Sequence, residues 1–514
     1  MQKKQNFIIL FVLIYILNAC KKEENFNFIN HEALNPVNAD TNAGTWLPIL
    51  LTSPTEFSIA VPMPTNNPNY ILEIQEIKSR QNIKSKKDEK TIKYWSSGSI
   101  LRWNEIARQL VTKYNLPPFQ NPDGTYPIPN PANPFAYPTF PFSNPPYAAR
   151  AYAYLTAAQY DALIAAYYYK SLYKRPNPKV SNNTIEELIK VTKGYCYPSE
   201  DAVIAGASVA ILSLMFPTEQ AYLQDLANQV MNYRILVGAN TNSDLAAGFQ
   251  LGKDVAGKFI SRARTDKAGG SLGNAAVLEQ FKQNAIARGD VPWQSLDIPS
   301  RPGLLPLFGQ VKGFLLDSLE VVNARPGPPP IVGSVQHTRE LEEVLRYSKN
   351  ASAENMRIVR YWESGIGTYT PPGQWNAIAA TDFVKERYSE PRWARNYALL
   401  NLAMFQAAIC CWETKYHYFN ARPTQIKPEI KTLAGMPNFP AYTSGHSTFD
   451  GSACSVLMHL IPKNSGKYTD LSNQGSESRL IGAIHYRSDI EAGLAIGKKV
   501  GLKAVDRAKI DGAE

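Results

Sequence analysis

Cysteine is scarce. Of the five in 514 residues, Cys196, Cys410, Cys411 and Cys454 stand at no metal-ligand spacing. Three of these four fall in apolar helical runs, so buried free thiols are expected rather than a disulfide framework. Dense basic runs are also missing. The formal charge of +10 is spread along the chain, which sets nucleic acid aside as a partner and suits a small anionic substrate better. Beyond the N-terminal leader no stretch approaches about 18 uninterrupted apolar residues, so the body of the chain is not expected to span a membrane. What remains is a globular composition, 44% apolar and 19% charged, in a chain long enough for two substantial cores or one large one.

The leader has its own pattern. Lys3 and Lys4 precede an apolar run from Phe7 to Leu17, too short for a comfortable span, and Asn18-Ala19-Cys20 follows. Leu17-Asn-Ala-Cys20 resembles a bacterial lipobox, which implies signal cleavage, a lipid on Cys20 and an extracytoplasmic protein, periplasmic or on the outer surface, held to its membrane by that anchor only. An ordinary cleaved secretory signal is the alternative. Residues 21–95 read as a tether followed by a small N-terminal region without an assigned role, and the basic run Lys84 to Lys90 as a solvated loop.

From Ser96 the chain turns helical, interrupted by a Pro- and aromatic-rich loop from Leu116 to Tyr147 whose rings suit an ordered lid or wall. An internal repeat organises the rest. A shift of 245 residues lays Arg150–Arg262 on Arg395–Arg507 without a gap, matching Lys170 to Lys415, Ser199 to Ser444, Arg234 to Arg479 and Asp244 to Asp489. The repeat predicts an all-α protein of two packed four-helix-bundle halves, 96–265 and 346–514, joined by a Gly- and Pro-rich connector over 266–345. Chemistry-bearing residues are unequal between the halves. Gly445 and His446 face Glu200 and Asp201, His485 faces Asn240, and Arg422 faces Asn177, with Arg175 displaced by two positions. Added carboxylates and absent imidazoles would repel an oxyanion, so the first half is expected to be scaffold and the second half active.

In that second half, Phe439-Pro-Ala-Tyr-Thr-Ser-Gly-His446 is a tight loop opening into a helix, a place where backbone N–H groups and a positive dipole end favour an anion. Lys415 and Arg422 precede it, and Arg479, His485 and Asp489 follow. The three cations supply charge, and the planar fork of arginine can engage two oxygens at once. A carboxylate four residues after His485 can accept from one imidazole nitrogen and leave the other facing the anion.

The set Lys-x6-Arg-Pro, Ser-Gly-His, Ser-Arg-x5-His-x3-Asp resembles the signature of the vanadium-dependent haloperoxidase and type-2 phosphatidic acid phosphatase superfamily, with Thr443 where the family usually has proline. The resemblance implies that Lys415, Arg422, Ser444, Gly445 and Arg479 bind vanadate or phosphate, that His485 ligates vanadium or attacks phosphorus, that Asp489 orients it and that His446 is the acid or base. Trp412 and Phe439 resemble the aromatics bordering the halide site of chloroperoxidase-like members, although core packing would also account for them. A haloperoxidase using hydrogen peroxide and halide is the leading expectation. A phosphatase acting on phosphomonoesters through a phosphohistidine is the alternative, and a non-catalytic oxyanion-binding lipoprotein the second. His417 could line the pocket; His31, His337 and His459 have no role.

Overall fold

The computed structural model describes residues 31–189 and 194–514, so the leader and Cys20 lie outside the described residues. Fifteen helices of ten or more residues carry the described fold, which contains no β-strand: α1 (Pro68–Asn82), α2 (Lys86–Trp95), α3 (Ser99–Tyr114), α4 (Pro145–Tyr173), α5 (Glu200–Met215), α6 (Gln220–Leu236), α7 (Asn242–Ala263), α8 (Ala275–Ala287), α9 (Val335–Lys349), α10 (Ala353–Trp362), α11 (Thr370–Glu386), α12 (Glu390–Tyr418), α13 (Gly445–Leu460), α14 (Ser465–Ile481) and α15 (Arg487–Ala508). No described helix is long and apolar enough to cross a membrane.

Helices α4 to α7 form one bundle and α12 to α15 the other, and each helix of the second begins and ends 245 residues after its counterpart in the first. The long helices α4 and α12 are buried on nearly every side and pack on each other, as an apolar all-round helix must. Each bundle is closed by the same device. Arg150 Nε donates to Asp266 at 2.7 Å and Nη2 to the Ala263 carbonyl, while Arg395 donates to Asp511 at 2.7 Å and to the Ala508 carbonyl. Helices α13 and α15 approach closely because Gly493 and Gly497 carry no side chain; a Cβ on Gly497 would stand 2.3 Å from the Thr448 carbonyl oxygen. That approach lets the Ser444 amide donate to the Asp489 carbonyl at 2.9 Å, which joins the start of α13 to the start of α15.

Two expectations about the N-terminal region change. The run Lys84 to Lys90 enters helix α2, started by a capping box in which Ser85 and Asp88 cap each other's amides, rather than a solvated loop. The tether gives way to packed chain by residue 40. Asp40 is buried and accepts from Arg392 Nη2 at 2.6 Å, and Ala43 and Trp46 belong to the main core. The aromatic loop after α3 is a wall: rings run in contact from Tyr137 through Phe142, Tyr147 and Phe308 to Trp412. The four cysteines of the body are buried and free.

Candidate active site

Helix α12 delivers Lys415 from its last turn, and a left-handed residue, Phe419 at φ 51°, then turns the chain so that Arg422 comes back beside it. Lys415 is wholly buried; its Nζ donates to the carbonyls of Pro440 and Ala441, both at 2.9 Å. Arg422 donates to the Phe439 carbonyl from Nε and Nη2, and from Nη1 to the Ile484 carbonyl at 2.8 Å. The loop before α13 is thus held by its carbonyls, while its Ala441 and Tyr442 amides donate to Asn420. Ser444 is the N-cap of α13 and accepts from the Ser447 amide at 3.3 Å. The next amides, of Gly445 and His446, are the first turn's unpaired donors.

Arg479 comes from the last turn of α14, where its Nε donates to Ser478 Oγ at 2.9 Å and Nη2 to the Val359 carbonyl of α10 at 3.3 Å. Gly482 ends that helix and Ala483, at φ 59°, reverses the chain, so Arg479 and His485 meet although they do not share a helix. His485 and Asp489 do not share one either. His485 precedes α15, and Asp489 sits in its first turn, where one carboxylate oxygen accepts from the Tyr486 amide at 3.0 Å and from His485 Nδ1 at 2.8 Å. Arg422 Nη1 stands 3.3 Å from His485 Nε2. These two bonds fix the tautomer: Nδ1 carries the proton, and the Nε2 lone pair faces the cations.

No carboxylate of the described residues is in ion-pair contact with Lys415, Arg422 or Arg479, although each is almost completely buried. Burial pushes the Lys415 ammonium down to about 7, with Arg422 adding to the effect while Cys411 and Asp489 oppose it. Burial lowers Arg422 and Arg479 to about 10, so both guanidiniums stay charged at neutral pH. His485 is held well below the usual imidazole range by burial and by the surrounding cations, and His446 by burial and Arg479. Both are neutral near pH 7. His446 Nε2 is buried without a hydrogen-bond partner among the described residues. Burial raises the Asp489 carboxyl, whose second oxygen is likewise unpartnered.

Trp412 and Phe439 form the apolar side, ring centroids 5.2 Å apart, with Lys415 Nζ 5.0 Å and the Arg422 guanidinium 5.2 Å from the Phe439 ring. His417 is not in this group: it faces Arg325 at 3.2 Å, and burial pushes its pKa down to about 4. Sequence reasoning overlooked the carbonyls of Trp362 and Glu363 beside His446, which carry no side-chain signature. Two cavities lie elsewhere, about 540 Å³ beside His31, Leu34 and Trp393 and about 530 Å³ beside Tyr361, Tyr369 and Gln374.

Three buried cations, a serine hydroxyl, helix-start amides and an imidazole lone pair converge without a counter-ion. That donor set fits a tetrahedral oxyanion such as vanadate or phosphate. Space fits as well, since a Cβ on Gly445 would meet only Trp412 Cζ3, at 3.9 Å.

The chain resembles known proteins in sequence and in fold. Residues 396–504 match the model of the PAP2 superfamily. The vanadium chloroperoxidase of Curvularia inaequalis is 23% identical over 399 residues, an alignment spanning 64% of this chain and 63% of the relative. A bacterial vanadium-dependent iodoperoxidase superposes with TM-score 0.57 at 20% identity, covering 80% of this chain and 95% of its own, and a holo-type bacterial vanadium-dependent chloroperoxidase with 0.50 at 12%, covering 74% and 96%. The chain has the fold of the vanadium haloperoxidases, and the stretch that matches the PAP2 superfamily model lies within its second bundle.

Proposed function

We propose that the protein is a vanadate-dependent haloperoxidase that oxidises halide with hydrogen peroxide at the Lys415–Arg422–Arg479 site. The observation that carries this reading is the absence, among the described residues, of a counter-ion for three buried cations beside a histidine whose Nε2 lone pair faces them. Lys415, Arg422 and Arg479, with the Ser444 hydroxyl and the Gly445 amide, would hold the vanadate oxygens, and His485 would be its protein ligand. Bound vanadate supplies Lewis-acid activation of hydrogen peroxide toward halide. Asp489 keeps the His485 proton on Nδ1 and stabilises the ring in one orientation. His446, neutral and with Nε2 unpartnered, takes a proton from entering peroxide and returns it to the leaving oxygen. Trp412 and Phe439 exclude water from the side where halide approaches.

The closed form of the site supports small reagents, since among the proposed catalytic and anion-binding residues only His446 is more than slightly exposed. The chloroperoxidase and iodoperoxidase names of the similar proteins support the same reading. The test is a parallel assay after incubation with orthovanadate. Vanadate-dependent oxidation of iodide, bromide or chloride, lost in His485→Ala, is expected. Phosphomonoester hydrolysis that vanadate inhibits, with no halide oxidised, would replace this reading with a phosphatase and reduce Trp412 and Phe439 to packing. Extracytoplasmic attachment through a lipid on Cys20 is part of the proposal; a Cys20→Ser protein that stays in the membrane fraction would count against it.

A further inference from the structure

The first bundle keeps two of the three cations of the candidate site in place and supplies an anion of its own. Lys170 and Arg234 stand 245 residues before Lys415 and Arg479, with Ser199 before Ser444, and the Ser199 amide donates to the Asp244 carbonyl at 3.1 Å as Ser444 does to Asp489. At the position of Gly445 stands Glu200. Its carboxylate lies 2.5 Å from Lys170 Nζ and 3.7 Å from Arg234 Nη2, and these two cations hold it ionised at about 2 despite burial. Arg234 also pairs with Asp201 at 2.8 Å, and Arg175 with Asp244 at 3.3 Å. Asn240, in place of His485, accepts from Arg234 Nε at 2.8 Å and from Ser199 Oγ at 3.1 Å. The expectation that this half would repel an oxyanion is thereby sharpened: it is a filled site, not a merely repulsive one.

We propose that the Glu200 carboxylate occupies, between Lys170 and Arg234, the place that a tetrahedral oxyanion takes in the second bundle, and that removing it opens a second oxyanion site. The inference rests on the oxyanion reading of the second bundle. Both halves point to the same place, because the side chain missing at Gly445 would leave the start of α13 where the Glu200 side chain leaves the start of α5, and it has room to do so. Once opened, the first site sets Lys170, Arg175 and Arg234 against Asp201 and Asp244. Glu390, the other carboxyl nearby, accepts from the Ile100 amide at 3.1 Å and is pushed to about 8 by burial and by Asp201, so it adds little charge at neutral pH. Weaker binding than in the second bundle follows, improved when Asp201 is neutralised too.

Calorimetric titration with inorganic phosphate tests this. The unmodified protein should take up one equivalent, Glu200→Gly two with the second weaker, and Glu200→Gly/Asp201→Asn two with the second tightened about tenfold. Gly445→Glu should take up none and melt at a higher temperature, its carboxylate neutralising Lys415 and Arg479. A Glu200→Gly protein with unchanged helicity and halide oxidation that still binds one equivalent overturns the proposal, and so does a Gly445→Glu protein that binds phosphate as before. If Glu200→Gly does not fold, Gly445→Glu decides. An unmodified protein that binds phosphate without oxidising halide refutes the haloperoxidase and leaves this inference standing. If neither it nor Glu200→Gly takes up phosphate, both fall.

Discussion

Lys415 is the residue whose state depends most on what shares its cavity. Its ammonium faces two carbonyls and the Arg422 guanidinium but, among the described residues, no paired carboxylate, and burial brings its pKa to about 7. An oxyanion beside it favours the charged form, so binding takes up a proton wherever the free lysine is neutral. Affinity should therefore be constant below pH 7 and fall about tenfold per unit above it, for one linked proton. Sulfate, which does not titrate in this range, is the probe; an affinity unchanged between pH 7 and 9 would mean that the ammonium is already held charged. Residue identities at the site were legible in sequence because cation type and spacing are written there. The lack of counter-ions was not, since it depends on which carboxylates from distant segments approach. Nor was the reason for Gly445, which keeps an ordinary backbone and is needed for room, not for a positive φ.

At the scale of the element, His485 and Asp489 show why a four-residue spacing is not by itself a helical turn. Two residues four apart on one helix would share a face, whereas Asp489 caps α15 and reaches back to an imidazole outside it. Four residues give the same hydrogen bond by either route, and only the chain reversal at Ala483 tells them apart. Because the carboxylate serves both cap and imidazole, its substitutions separate stability from turnover. Asp489→Asn retains an acceptor for the Tyr486 amide and should cost no more than about 1 kcal/mol of stability, while lowering halide oxidation about 10- to 100-fold through loss of the charged partner of His485. Thermal melting and steady-state rates check both; equal rates would deny Asp489 any part in setting the tautomer. Helix α2 was misread for a different reason. Its lysines masked the Ser85–Asp88 capping box that starts it and the buried Trp95 that ends it.

Across the whole molecule, the two bundles hold each other through reciprocal straps. Asp161, midway along α4, accepts from the amides of Ile49, Leu50 and Leu51 at 2.6, 2.7 and 2.9 Å, and Arg507 of the other bundle donates to the Pro48 carbonyl of the same segment at 2.6 Å. Gln406, at the matching place on α12, accepts from the amides of Leu315 and Leu316, and Arg262 of the first bundle donates to the Gly313 carbonyl at 2.6 Å. Each long helix thus clamps a passing segment that the opposite bundle also grips. The two-bundle plan could be read from the 245-residue offset, but this exchange could not, because the clamps differ in residue type and the clamped segments do not repeat at that offset. Asp161→Ala leaves three amides without their acceptor and should destabilise the protein by about 3 kcal/mol. Arg507→Ala should cost about 1 kcal/mol alone. Once either residue is lost the 47–51 segment is free to leave, so the second loss has less to break. The double variant should therefore be less destabilised than the sum by about 1 kcal/mol in urea unfolding. Strict additivity would mean that the two bundles grip the segment independently, and that the strap does not couple them.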